Sequence, residues 1–170
     1  MTSVVLSIGS NLGDRLARLR AVVEGLGDAV RAVSPVYETD PWGGVEQGAF
    51  LNAVVLADDP TLDAHGWLRR AQEFERGAQR VREQRWGPRT LDVDLVMCSD
   101  GGREVTSDDA ELTLPHPLAH ERAFVLVPWL AVEPAAVLTV AGERSSVEKL
   151  VAELDPADRD GVRLTDSVLR

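Results

Sequence analysis

A chain of 170 residues, 44% hydrophobic and with a formal net charge of −10, has the size and composition of one soluble globular domain. The acidic balance argues against general nucleic-acid binding, which needs a basic face. A lone cysteine, Cys98, excludes an internal disulfide, and three scattered histidines offer no zinc-ligand spacing.

In chain order, SVVLSIGS (3–10) is short, apolar and β-branched, as a buried strand should be. NLGDRLARLRAVVEGLGD (11–28) places Leu12, Leu16, Leu19, Val22, Val23 and Leu26 at helical spacing, with Gly27 as a stop. AVRAVSPVYETD (29–40) alternates like a strand, PWGGVEQG (41–48) is a glycine-rich loop, and AFLNAVVLAD (49–58) is another strand. Beyond Pro60, Leu62, Trp67, Leu68, Ala71 and Phe74 repeat with the helix period. TLDVDLVM (90–97) reads as a strand, SDGGREVTSDD (99–109) as a turn-rich excursion, and LTLPHPLAHERAF (112–124) as a loop. FVLVPWLAVEP (124–134) fits a short helix or strand, and 143–154 a final amphipathic helix; the tail, 155–170, has no clear period. The order strand–helix–strand–strand–helix–strand predicts an α+β, ferredoxin-like α/β sandwich: a single domain over 1–170 with its core in about 3–154. The sheet is expected to be mostly antiparallel, with helices on one face. No run of about 20 apolar residues and no basic-then-apolar leader is present, so no membrane contact and a cytoplasmic setting are expected.

The chemistry concentrates in RVREQRWGPRTLDVDLVM (80–97). Residues two apart on a strand share a face, so Asp92 and Asp94 point together while Leu91, Val93 and Leu95 enter the core. With Cα atoms about 6.5 Å apart, such a pair suits divalent cations, and magnesium tends to take one or two carboxylates plus water and phosphate. A bare D-x-D more often marks a solvated strand face; the weight comes from what precedes it. Arg80, Arg82, Arg85 and Arg89 surround Trp86, Gly87 and Pro88, and Pro88 disfavours helix there, giving a cationic loop that runs straight into the strand. Lys149 is the only lysine against seventeen arginines, so no lysine-bearing phosphate loop can be written and phosphate must be met by guanidinium or metal. A nucleoside triphosphate brings about four negative charges and the aspartates two; two magnesium ions return four, and two or three arginines close the deficit, as phosphoryl transfer requires.

These residues resemble a specific family. RWGPRTLDVDLV is similar to the signature of 6-hydroxymethyl-7,8-dihydropterin pyrophosphokinase, the folate-pathway enzyme. SIGSNLGDR (7–15), YETDPWG (37–43), FLNAVV (50–55), LTLPHP (112–117) and ERAFVLVPW (121–129) resemble further family segments in family order, covering roughly 3–135. The resemblance implies transfer of the β,γ-pyrophosphate of ATP to the pterin hydroxymethyl oxygen, releasing AMP, with two magnesium ions held by Asp92 and Asp94. It implies catalytic roles for Arg80 and Arg82 on a mobile loop and for Arg89 at the phosphates. Nucleotide-side positions are Gln72, Glu75, Arg82, Trp86, Arg89, Leu95, Thr113, His116 and Arg122. The pterin pocket would be Gly9, Thr39, Trp42, Phe50, Asn52, Asp92 and Phe124, with a flat heterocycle between the two phenylalanines and Asn52 on its amide edge. A monomer taking only small molecules is implied. Glu111 and Pro117 depart from the family pattern, which expects a cation and an aromatic near the adenine. The general base is left open between Asp92 and a magnesium-acidified hydroxyl. A sugar-nucleotide transferase with a D-x-D metal site and a non-catalytic ferredoxin-like binding module are the alternatives.

Overall fold

The computed structural model describes residues 1–40, 48–79 and 91–170. Strand β1 (Thr2–Ser10) leads to helix α1 (Arg15–Leu26), then β2 (Val30–Val33), β3 (Tyr37–Thr39) and β4 (Phe50–Asp59). Helix α2 (Ala64–Gln79) and β5 (Asp92–Asp100) complete the expected core order; Pro35 divides the strand read across 29–40 into β2 and β3. Short strands β6 (Arg103–Glu104), β7 (Ser107–Asp108) and β8 (Thr113–Leu114) precede helix α3 (Ala123–Val132). The chain ends in the hairpin β9 (Val137–Val140) and β10 (Glu143–Ser146), helices α4 (Val147–Glu153) and α5 (Pro156–Asp160), and β11 (Val162–Leu164).

The main sheet runs β11-β3-β4-β1-β5-β6, with β2 also on β4, and its neighbouring strands pair antiparallel. Strand β1 sits between β4 and β5 with eight of its nine residues buried, as expected of a strand covered on both faces. Helix α1 starts where the Asp14 carboxylate accepts from the Ala17 N–H at 3.1 Å. It stops at Gly27, whose φ of 55° L side chains rarely adopt.

One sheet face, with Val4, Leu6, Ile8, Ala53, Val55, Val93 and Leu95, packs against Leu19, Val22 and Val23 of α1 and Trp67 and Ala71 of α2. The other face, with Val5, Val54, Leu56 and Val96, packs against Val125, Leu126 and Trp129 of α3 and Val147 and Leu150 of α4. Helices therefore cover both faces rather than one. Segment 124–134 is helical up to Val132 because its apolar residues reach the second face. The expected final helix is only its second half: Glu143–Ser146 pair with β9, and Ser146 then caps α4, accepting from the Lys149 N–H at 3.1 Å. The tail is ordered into α5 and the edge strand β11. Among the described residues no helix is long and apolar enough to cross a membrane.

Candidate active site

The register of three strands assembles the site. Gly9 of β1 lies opposite Asn52 of β4 on one side and Asp92 of β5 on the other; one step along, Ser7 lies opposite Asp94. Directly opposed residues of an antiparallel pair point to the same face. Asn52, Asp92 and Asp94 thus project together on the second face, beyond the end of α3. Val93 and Leu95, at the alternate positions, are buried beneath α1 and α2.

Above this row is a cavity of about 300 Å³ lined by residues from five segments. Of the residues expected from sequence, Gly9, Thr39, Phe50, Asn52, Asp92, Asp94, Arg122 and Phe124 line it together. Ser7, Asp40, Leu118 and Glu121 also line it and were missed. Ser7 was readable as the residue two before Gly9 on the same strand; Leu118 and Glu121 bracket the 3-10 helix Ala119–Glu121, too short for a period to reveal them.

Gly9 has a steric reason to be glycine here. A Cβ at that position would come within 2.5 Å of the Asn52 amide nitrogen, so its absence lets the Asn52 side chain lie across the strand. Asn52 is 4% exposed, and neither its Oδ1 nor the Thr39 Oγ1 has a hydrogen-bond partner among the described residues. Buried polar atoms left unpaired are costly, so two of them at one cavity wall point to a polar ligand edge.

The opposite side of the cavity is ionic. Asp94 Oδ2 lies 3.8 Å from the Arg122 Nη1, and the Arg122 guanidinium carbon lies 5.5 Å from the Phe124 ring centre. The described lining carries four carboxylates (Asp40, Asp92, Asp94 and Glu121) against one guanidinium. Asp40 and Glu121 are exposed, and Asp40 pairs with Arg163 at 2.9 Å; Asp92 and Asp94, half-buried at adjacent same-face strand positions, favour a cation and match magnesium, which takes few protein ligands. No cluster of three or more histidine, cysteine or acidic groups suited to a metal occurs among the described residues, so a site built wholly from protein ligands is not their pattern.

His116 sits beside this ionic side. Its Nδ1 accepts from the Leu118 N–H at 3.1 Å, so the neutral ring carries its proton on Nε2. Burial lowers its pKa below the usual histidine value, the Arg122 charge lowers it further, and Asp94 opposes them. Glu75 projects from α2 to the other edge of β5, where its carboxylate accepts from the Val93 N–H at 3.2 Å, between the two aspartates. Gln72 and Thr113 are exposed outside the cavity lining, and Leu95 is 5% exposed in the core. Glu111 is exposed in a turn closed by Asp109, whose Oδ1 accepts from the Glu111 and Leu112 N–H groups at 3.0 and 2.7 Å. Trp42, Arg80, Arg82, Trp86 and Arg89 lie outside the described residues.

Comparison with known proteins identifies the family. The model of the family described as 7,8-dihydro-6-hydroxymethylpterin-pyrophosphokinase matches residues 5–134. The 2-amino-4-hydroxy-6-hydroxymethyldihydropteridine pyrophosphokinase of Mycobacterium tuberculosis is 68% identical, over 96% of this chain and 90% of that protein. The protein of the same name from Mycobacterium leprae is 63% identical over 100% and 92%, and that from Methylorubrum extorquens 44% over 92% and 96%. Among solved structures, wild-type Plasmodium falciparum HPPK-DHPS with pteroate has a TM-score of 0.61 at 12% identity, a likeness of fold. The match covers 90% of this chain and 42% of that longer one. The family model spans most of the chain and these relatives match it over nearly its whole length: the chain belongs to the 7,8-dihydro-6-hydroxymethylpterin-pyrophosphokinase family.

Proposed function

We propose that the chain transfers the β,γ-pyrophosphate of ATP to the hydroxymethyl oxygen of 6-hydroxymethyl-7,8-dihydropterin, giving the pterin diphosphate and AMP in tetrahydrofolate biosynthesis. It acts as a cytoplasmic monomer and uses two magnesium ions. The observation that carries this reading is one cavity joining a heterocycle-sized polar and aromatic half to a paired-carboxylate half.

The pterin lies between Phe50 and Phe124, and its amide edge meets the unpartnered Asn52 Oδ1 and Thr39 Oγ1. The row from Asn52 through Gly9 to Asp92 then directs the hydroxymethyl arm toward the carboxylates. Asp92 and Asp94 would hold magnesium, whose charge when bound offsets that of the triphosphate and of the departing AMP. Arg122 adds a cation beside Asp94, and the N-terminal end of α3, which starts at Ala123, favours anions next to it. His116 offers its Nε2–H to phosphate or ribose. As the hydroxymethyl O–H bond breaks, its proton passes to Asp92; the new O–P bond forms at the β-phosphorus and the α,β-bridging bond breaks in line, its electrons leaving with AMP. Arg80, Arg82 and Arg89 are assigned to the polyphosphate, and Gln72, Glu75, Trp86, Leu95 and Thr113 to the nucleotide side, with Trp42 on the pterin side, on the strength of family position.

Incubation with ATP, magnesium and the hydroxymethyldihydropterin should release AMP and form the pterin diphosphate. ADP as the product, or no turnover, overturns the assignment and would favour another D-x-D nucleotide transferase or a binding module.

A further inference from the structure

Behind the Thr39 side of the substrate cavity lies a segment from the far end of the chain. Strand β11 pairs with β3 so that Val162 lies opposite Thr39. One residue on, the Asp40 N–H donates to the Gly161 carbonyl at 3.0 Å, and the Asp40 Oδ1 accepts from Arg163 Nη2 at 2.9 Å. Arg163 also lies 3.5 Å from Glu38, the residue before Thr39. Asp40 and Glu38 therefore flank Thr39, and Arg163 reaches both.

Behind these residues is a second cavity of about 130 Å³, bounded by Ala157, Gly161 and Val162 on the C-terminal side. It shares Thr39, Asp40 and Phe124 with the substrate cavity, so these three residues border both spaces. Residues that border open space on two sides have fewer neighbours to fix them, and loosely packed side chains do not hold a ligand in one geometry. Val162 supplies apolar backing, buried against Tyr37 and Ala123 and next to Phe124. Arg163 supplies the polar tie. Its pair with Asp40 is about half exposed, so it adds little to stability; Arg163 stands opposite Glu38 in the β11–β3 register, on the sheet face away from Thr39, and so ties this strand end from behind.

We propose that Arg163 is a positioning residue for the pterin half of the site: by bridging Asp40 and Glu38 it holds the Thr39 end of β3 against the heterocycle, and the C-terminal segment Pro156–Leu164 thereby sets pterin affinity without touching ATP. The inference rests on the pyrophosphokinase reading and assigns work to a segment outside the 5–134 matched by the family model.

The test measures pterin and ATP affinities separately, by calorimetry and by steady-state KM, for the full chain and Arg163→Ala. The expected result is pterin binding weakened about fivefold, with kcat and the KM for ATP within about twofold of wild type, and most of the loss recovered in Arg163→Lys. Unchanged pterin affinity, or equal losses for both substrates, overturns the proposal. Should Arg163→Ala fold poorly, Glu38→Gln removes one of the two charges that Arg163 bridges, at a residue outside the substrate cavity; the same selective loss is expected, and unaltered pterin affinity again overturns it. A wild-type chain that forms AMP alongside an Arg163→Ala chain with normal pterin affinity sinks this inference alone, whereas a wild-type chain that forms no AMP sinks the functional reading.

Discussion

The two faces of the main sheet are made from alternate residues of the same strands, yet they end in different surroundings. Beneath α1 and α2 the face is dry along its length, from Val4, Leu6 and Ile8 to Val93, Leu95 and Cys98. On the other face α3 and α4 cover only the end bearing Val5, Leu56 and Val96, and the remaining end opens into the cavity of Ser7, Gly9, Asn52, Asp92 and Asp94. The difference shows how a small domain can hold carboxylates and unpaired amide groups close together. Burying one face fully stabilises strands whose other face carries groups that favour neither folding nor each other. Toward the cavity end of the strands, parity then separates positions that serve stability from those that serve chemistry.

That division can be broken most sharply at Asp94. Asp94→Ala should lower kcat about a thousandfold or more, on the order of 4 kcal/mol of transition-state stabilisation, while pterin affinity and melting temperature barely change. Turnover surviving at ordinary magnesium would contradict the cation-seating role. The converse experiment is Trp67→Ala on the dry face. Trp67 is 1% exposed and its Nε1 donates to Thr2 Oγ1 at 2.8 Å, so about 3–4 kcal/mol of stability should be lost in denaturant titration, with kcat per folded molecule unaltered. A comparable fall in kcat would show that the faces are not independent.

Gly9→Ala tests the boundary between them. The added methyl displaces the flexible end of Asn52 rather than backbone, so stability should fall by less than about 1 kcal/mol while pterin affinity drops about tenfold by equilibrium titration. The smallest effect is expected from His116. Its lowered folded-state pKa means that the unfolded chain binds the proton more readily in the interval below the usual histidine value. Stability from this group is therefore complete above the unfolded pKa and is lost as pH falls through the folded one. Melting temperature against pH should be shallower in acid for His116→Asn than for wild type and parallel to it at alkaline pH. An identical slope in both would remove the pH argument.

Much of this arrangement was legible in the residues themselves. The alternation in TLDVDLVM placed Asp92 and Asp94 on one face and Val93 and Leu95 on the other, and RWGPRTLDVDLV with its companion segments pointed to the family to which the chain belongs. Phe50 and Asn52, two apart on β4, were expected in one pocket and line one. Other features depended on partners far away in sequence. A bulge sets Leu6 opposite Leu95 but Val5 opposite Met97, so Val96 is an extra residue and Cys98 turns into the dry core, away from the face that simple alternation assigns it. Burial there pushes the Cys98 thiol up to about 11. The second helical layer, the β9–β10 hairpin and the pairing of β11 with β3 were likewise not read from any local window. By itself the sequence determined the local period, and with it which side chains of a strand or helix travel together, because bond geometry and backbone sterics act between near neighbours. Only the tertiary structure decided which face α3 would cover, where it would stop short, and which distant strand would close the edge at Asp40. Those outcomes follow from competition among apolar surfaces for burial across the whole chain.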